Sequence, residues 1–152
     1  MSLCSSRKLL CGLGLRVISD QKRPIRRLLF VCIENSNRSQ MAEAFVRIYG
    51  EDHVDVYSSG SRPSGEVNAK AVASMQEIGY DLSVHRSKGL SEIPEVEYDY
   101  VIAMGCGEEC PYVKAKRHEE WDIPDPKEMN LQEFQEVRDL IERKVKTILA
   151  NI

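Results

Sequence analysis

The sequence predicts an α/β fold: a central parallel sheet of four strands with helices on both faces, a three-layer sandwich. Two observations carry this. Apolar runs of strand length alternate along the chain with stretches of helical periodicity. The first apolar run ends in a short polar loop that opens directly into a helix, the strand–loop–helix unit from which parallel sheets are wound. A third observation bounds the size. At 152 residues and 42% hydrophobic content the chain can bury one sizeable core, and it shows no internal repeat or low-complexity tract.

The elements follow in order. Residues 28–31 read Leu-Leu-Phe-Val without Gly or Pro, a buried first strand that ends at Cys32. After Arg38, apolar residues at Met41, Phe45, Ile48 and Tyr49 mark one face of a helix, which Gly50 stops. Residues 54–57 form a short second strand. Ala71, Val72, Met75 and Ile78 mark an amphipathic helix ended at Gly79. Residues 98–104, rich in aromatic and β-branched types, form a buried third strand. Residues 116–121 are placed as the fourth strand, although their composition is poor for one. Phe134, Val137, Ile141, Val145 and Ile148 define a final helix capped at Asn130. In such a fold the loops at the carboxyl ends of the strands form the site.

The loop after the first strand reads Cys32-Ile33-Glu34-Asn35-Ser36-Asn37-Arg38-Ser39. Its backbone amides and the following helix N-terminus should point at one spot and favour negative charge there. The same potential stabilises a Cys32 thiolate, the nucleophilic form of a thiol. Arg38 can grip two oxygens of a phosphate-like group with its planar fork. Spacing alone would fit a structural cysteine and a surface arginine equally well; the strand before and the helix after favour the reactive reading. Asn35 is expected to hold the loop's shape, Ser39 to donate a hydrogen bond to the thiolate, and Glu34 to point away from the pocket.

Two further loops bring chemistry to the same edge. After the third strand comes Gly105-Cys106-Gly107-Glu108-Glu109-Cys110-Pro111, whose two thiols are close enough in sequence to form a disulfide. Ordinary loop cysteines or half a metal site are the alternatives, and His53, His85 and His118 show no ligand spacing that would complete a metal site. The other loop is Asp122-Ile123-Pro124-Asp125-Pro126, where a carboxyl group could protonate a departing oxygen.

These pieces resemble the low-molecular-weight protein tyrosine phosphatase superfamily, and within it the arsenate reductase branch. The loop from Cys32 through Gln40, followed by Met41-Ala42-Glu43-Ala44, carries the strongest likeness. Ser58-Ser59-Gly60, Val67-Asn68, residues 77–83 and residues 121–126 add to it, so the resemblance runs from about Arg26 to the C-terminus. It implies a flavodoxin-like winding of the sheet and a catalytic domain at residues 25–152. Gln40 stands where the phosphatases usually have proline and the arsenate reductases glutamine. Residues 104–111 match the reductases' Met-Gly-Cys-Gly-x-x-Cys-Pro. Asp125 resembles the family's general acid, with Asp122 expected to face solvent. The phosphatases usually continue with paired tyrosines, but here Lys127 and Glu128 follow.

The resemblance implies arsenate reduction, with Cys32 attacking arsenic, Cys106 resolving the adduct and Cys110 carrying the disulfide outward. The runner-up is a phosphatase working through a phosphocysteine; a non-catalytic oxyanion-binding module is third. No tightly bound cofactor or metal is expected, only an external thiol reductant: thioredoxin, mycothiol, or glutathione with glutaredoxin. A net charge of −3 and a pI near 5.7 give no footprint for nucleic acid. No apolar run approaches membrane-spanning length. An odd count of five cysteines does not read as a secreted disulfide framework and suits a reducing cytoplasm. Residues 1–24 are basic, with Asp20 the one acid, and hold a short apolar patch interrupted by Arg16. They read better as a flexible extension, or the product of an upstream start codon, than as a signal peptide. Cys4 and Cys11 would then lie outside the chemistry.

Overall fold

A computed structural model describes residues 24–107, 110 and 112–152. The expected N-terminal extension, with Cys4 and Cys11, lies outside these residues except for Pro24. Four strands, β1 (Arg26–Cys32), β2 (Val54–Gly60), β3 (Tyr98–Ala103) and β4 (Ala115–Glu120), form one sheet in the order β2-β1-β3-β4. Every pairing is parallel. Among the described residues the α-helices are α1 (Arg38–Tyr49), α2 (Ala69–Gln76) and α3 (Leu131–Ala150). The chain runs from β1 outward to β2, then returns to the far side of β1 as β3. The winding therefore reverses between β1 and β3, and a crevice opens at their carboxyl ends.

β1 is an unbroken apolar run because both its faces are covered. Leu28, Phe30 and Cys32 join one core cluster with α1, α2 and α3. Leu29 and Val31 face the other cluster with Tyr98, Val101 and Cys106. Among the described residues, α1, α2 and α3 pack into the first cluster, and Leu90, in a 3-10 turn (Leu90–Glu92), packs against the second together with Ile93, Cys110 and Val113.

The poor composition of β4 has a physical reason. It is an edge strand, exposed along most of its length, and its charged residues protect an open edge. Two helix faces also differ from their expected residues. In α1 the buried stripe is Met41, Ala42, Phe45 and Val46, while Ile48 and Tyr49 are 39% and 42% exposed. α2 ends at Gln76, so Ile78 falls beyond it and is 42% exposed. α3 starts as expected: Asn130 accepts from the Glu133 amide at 2.8 Å while Glu133 reaches back to the Asn130 amide, a complete capping box.

Candidate active site

The loop between β1 and α1 is built around Asn35. Its φ of 51° is left-handed, a conformation that asparagine tolerates better than most residues. All four hydrogen-bonding positions of its side chain are used. The amide nitrogen donates to Ser39 Oγ at 2.8 Å and to Ser58 Oγ at 3.0 Å. The amide oxygen accepts from Gln40 Nε2 at 2.8 Å and from the Lys88 amide at 2.9 Å. Because Ser39 Oγ accepts from Asn35, its own O–H is available to the Cys32 sulfur, 2.9 Å away. The Asn35 amide donates to the same sulfur at 3.3 Å. Both donors point at the sulfur and fix its position in the loop. Helix α1 starts at Arg38 with neither a side-chain cap nor an acidic first turn, so its N-terminus offers unneutralised positive potential to the pocket.

Beneath this loop lies a buried polar network that sequence reasoning did not assemble. Ser58 donates to Glu43 Oε1 at 2.6 Å. Burial opposes ionisation of Glu43, but hydrogen bonds from Ser58 and Arg47 and the charge of Lys88 outweigh it and hold the carboxyl below its usual range. Burial also pushes the Lys88 ammonium below its ordinary value, although Glu43 opposes that shift. Gln40 is fully buried and donates to the Asn35 and Arg86 carbonyl oxygens, each at 3.0 Å. Its oxygen accepts from His85 Nδ1 at 2.9 Å, so His85 Nε2 is the acceptor for the Tyr80 hydroxyl at 2.7 Å. That arrangement fits the neutral imidazole, and burial lowers its pKa. Two adjacent buried serines at the end of β2 were the available sequence signal for this network.

Arg38 is also buried. Its Nη1 donates to the Ile123 carbonyl at 3.1 Å, and its Nη2 lies 3.8 Å from Asp125 Oδ2. The guanidinium rests against Gly105: a Cβ there would collide with Nη1, and the φ of 80° disfavours other residues independently. Gly60 plays a similar part below the loop, where a Cβ would stand 2.6 Å from the Ile33 carbonyl oxygen and 2.9 Å from the Asn35 nitrogen. Cys32, Ile33, Glu34, Ser36, Asn37, Arg38, Arg62 and Asp125 line one cavity of about 130 Å³. Arg62 was not among the expected residues.

Asp125 comes to the cavity 54% exposed, and Asp122 faces solvent. Glu34 lines the cavity, and its carboxylate reaches Lys127 Nζ at 2.9 Å. Cys106 and Cys110 are joined in a disulfide with Cα atoms 5.2 Å apart, while Cys32 is a free, buried thiol. Cys106 packs on the sheet face opposite the helices, its sulfur 4.0 Å from the Val31 carbonyl, one residue before Cys32. Among the described residues no cluster of three or more metal-ligating side chains occurs, and no helix is long and apolar enough to cross a membrane.

The site's parts are therefore a hydrogen-bonded sulfur, an open helix N-terminus, a buried arginine and a carboxyl group around one small cavity. Known proteins share this arrangement of chain. A glutaredoxin arsenate reductase from Synechocystis sp. is 35% identical over 84% of this chain and 99% of its own. An arsenate reductase from Staphylococcus epidermidis is 36% identical over 82% of this chain and 96% of its own. A solved structure of an arsenate reductase in the phosphate-binding state superposes with a TM-score of 0.77 at 35% identity, covering 84% of this chain and 99% of that one. The description of low molecular weight phosphotyrosine protein phosphatases matches residues 27–152. The strand order, the Cys32 loop and these likenesses converge, and the chain belongs to the low molecular weight phosphotyrosine protein phosphatase family.

Proposed function

We propose that the protein reduces arsenate to arsenite, with residues 25–152 as the catalytic domain. The observation that carries this reading is the conjunction of a free Cys32 in an oxyanion-shaped loop with a Cys106–Cys110 disulfide at the neighbouring strand end. A phosphatase has no use for the second pair. The reductase names of relatives at 35–36% identity point the same way.

Arsenate sits on the loop amides from Ile33 to Ser39 and on the Arg38 fork. The Cys32 thiolate attacks arsenic, and Asp125 protonates the departing hydroxide, which leaves as water. The Cys106 thiolate then attacks the Cys32 sulfur. A sulfur–sulfur bond forms, the sulfur–arsenic pair stays on arsenic, and arsenic falls from the pentavalent to the trivalent state. Arsenite leaves. The Cys110 thiolate attacks Cys106, frees Cys32 and forms the Cys106–Cys110 disulfide, the pairing present in this structure. An external thiol returns the pair to its reduced form. The Synechocystis relative's name indicates glutaredoxin as that class of reductant; thioredoxin and mycothiol are the others. Such a cycle fits a cytoplasmic location.

Phosphate monoester hydrolysis is the second reading, because Cys32, Arg38 and Asp125 on one cavity are also sufficient for a phosphocysteine mechanism. The test is purified protein given arsenate with each class of thiol reductant, beside hydrolysis of an aryl phosphate. Cys106→Ser should abolish arsenate reduction and spare ester hydrolysis, where water resolves the intermediate. Undiminished reduction in a Cys106→Ser/Cys110→Ser double variant under every reductant would remove the reductase reading.

A further inference from the structure

Strand β4 ends the sheet on one side, and among the described residues no strand pairs with its outer edge. No proline interrupts residues 115–120, so the backbone groups along that edge can accept another strand. Charges on such an edge ordinarily repel one, but here their order matters. The segment reads Lys116-Arg117-His118-Glu119-Glu120, two cations and two anions placed symmetrically about one histidine. Turned end for end, it is its own electrostatic complement. In an antiparallel pairing of two copies centred on His118, Lys116 of each chain stands opposite Glu120 of the other, and Arg117 opposite Glu119. A parallel pairing in register would set like charges against each other. All four charged residues are exposed. Their contacts within the chain lie at the surface: Lys116 is 3.3 Å from Asp99, Arg117 donates to the Tyr100 hydroxyl at 3.3 Å, and Glu119 accepts from the Trp121 indole at 3.1 Å. A second observation lies at the centre of the segment. Tyr112 is 81% exposed and stacks on His118, with ring centroids 5.6 Å apart. Pairing about His118 brings two such aromatic stacks to the same axis.

We propose that β4 is a self-association surface, on which a second copy of this chain pairs antiparallel along residues 116–120 about a two-fold axis at His118. The contact is isologous, and it joins two four-stranded sheets into one continuous sheet. The charge order commits the edge to a second copy. A strand of arbitrary sequence meets mismatched charge there, whereas the reversed segment meets none. The inference stands apart from the reductase reading, since none of these residues lines the cavity at Cys32.

The test is sedimentation velocity over a concentration series. It compares wild type, Lys116→Glu/Arg117→Glu, Glu119→Lys/Glu120→Lys and an equimolar mixture of the two variants. Wild type should pass from the 17.3 kDa monomer to a dimer as concentration rises, and added salt should weaken that dimer. Each variant meets itself with like charges at every opposed position, so its self-association should fall by at least about tenfold. In the mixture every opposed pair is again of opposite sign, and a heterodimer should form with an affinity near that of the wild-type dimer. Circular dichroism melts check that the variants are folded. A measurement without variants runs beside these: amide exchange in wild-type β4 should slow as protein concentration rises. A wild type that stays monomeric to millimolar concentration overturns the proposal. So does a dimer that both charge-reversed variants retain, a mixture that fails to restore it, or exchange in β4 that is indifferent to concentration.

Discussion

The loop after β1 and the loop after β3 each bring a cysteine to the same edge of the sheet, but they are held by different means. Around Cys32, the sulfur has two polar neighbours and Asn35 makes four side-chain hydrogen bonds. Around Cys106 the partners are apolar: Leu29, Val31, Tyr98 and Val101, with left-handed glycines at 105 and 107 on either side. The difference matches the two tasks. A nucleophile over an oxyanion loses rate with small displacements, so directional bonds hold it. A sulfur that exchanges partners in a relay must move, and apolar packing with permissive glycines opposes that less than a hydrogen-bond network does.

Removing the directional partners should have the largest effect. Cys32→Ser should bring arsenate reduction and any ester hydrolysis to background while leaving the thermal transition in place, because a serine hydroxyl is scarcely ionised at neutral pH. Arg38→Lys should cost about 10²–10³ in kcat/KM, since a point charge does not replace the buried fork. Steady-state assays beside circular dichroism melts check both, and substantial retained turnover in either would contradict the account.

The meeting point of the two loops is Gly105 under Arg38, and its substitution should have the next largest effect. Gly105→Ala should destabilise the fold by about 1–3 kcal/mol for the left-handed backbone alone. It should also weaken phosphate binding by at least about tenfold, because the guanidinium must move. Calorimetric titration and denaturant unfolding separate the two losses. Normal phosphate affinity in a destabilised protein would mean that Gly105 serves only the backbone.

The smallest effect concerns the foundation of the Cys32 loop. Burial keeps His85 neutral and lowers its pKa from the ordinary 6.5. The fold refuses a proton that the unfolded chain accepts. Its contribution is therefore present above pH 6.5 and is lost as pH falls through that value toward the lowered one, at no more than about 1.4 kcal/mol per pH unit. Unfolding free energies across this range, in wild type and His85→Gln, should show that slope in the first and its reduction in the second. Glu43 gives a separate loss at lower pH, because its carboxyl is held below the ordinary 4.5.

The contrast between the loops also explains what was legible in the sequence. Cys32, Asn35, Arg38 and Ser39 lie within eight residues, on a strand–loop–helix unit whose apolar pattern is plain, and the structure brings them together. Cys106 and Cys110 are likewise local. The supports were harder to read because each comes from a distant element: Ser58 from β2, Tyr80 and His85 from the segment after α2, and Lys88 from the approach to the sheet edge. Pairwise contacts between distant elements leave no periodic trace. The same limit applies to the fold. β1 and β3 were clear because burial on both faces forces continuous apolar runs, whereas β4 was obscured by the charges an edge strand carries.

The central claim is that Cys32 and Cys106 become covalently joined during turnover. Cys110→Ser should arrest the relay at that point. The reduced variant, given arsenate without an added reductant, should release one arsenite per protein, and peptide mapping by mass spectrometry should find a Cys32–Cys106 disulfide. Arsenite release with Cys32 and Cys106 both unlinked would contradict the account.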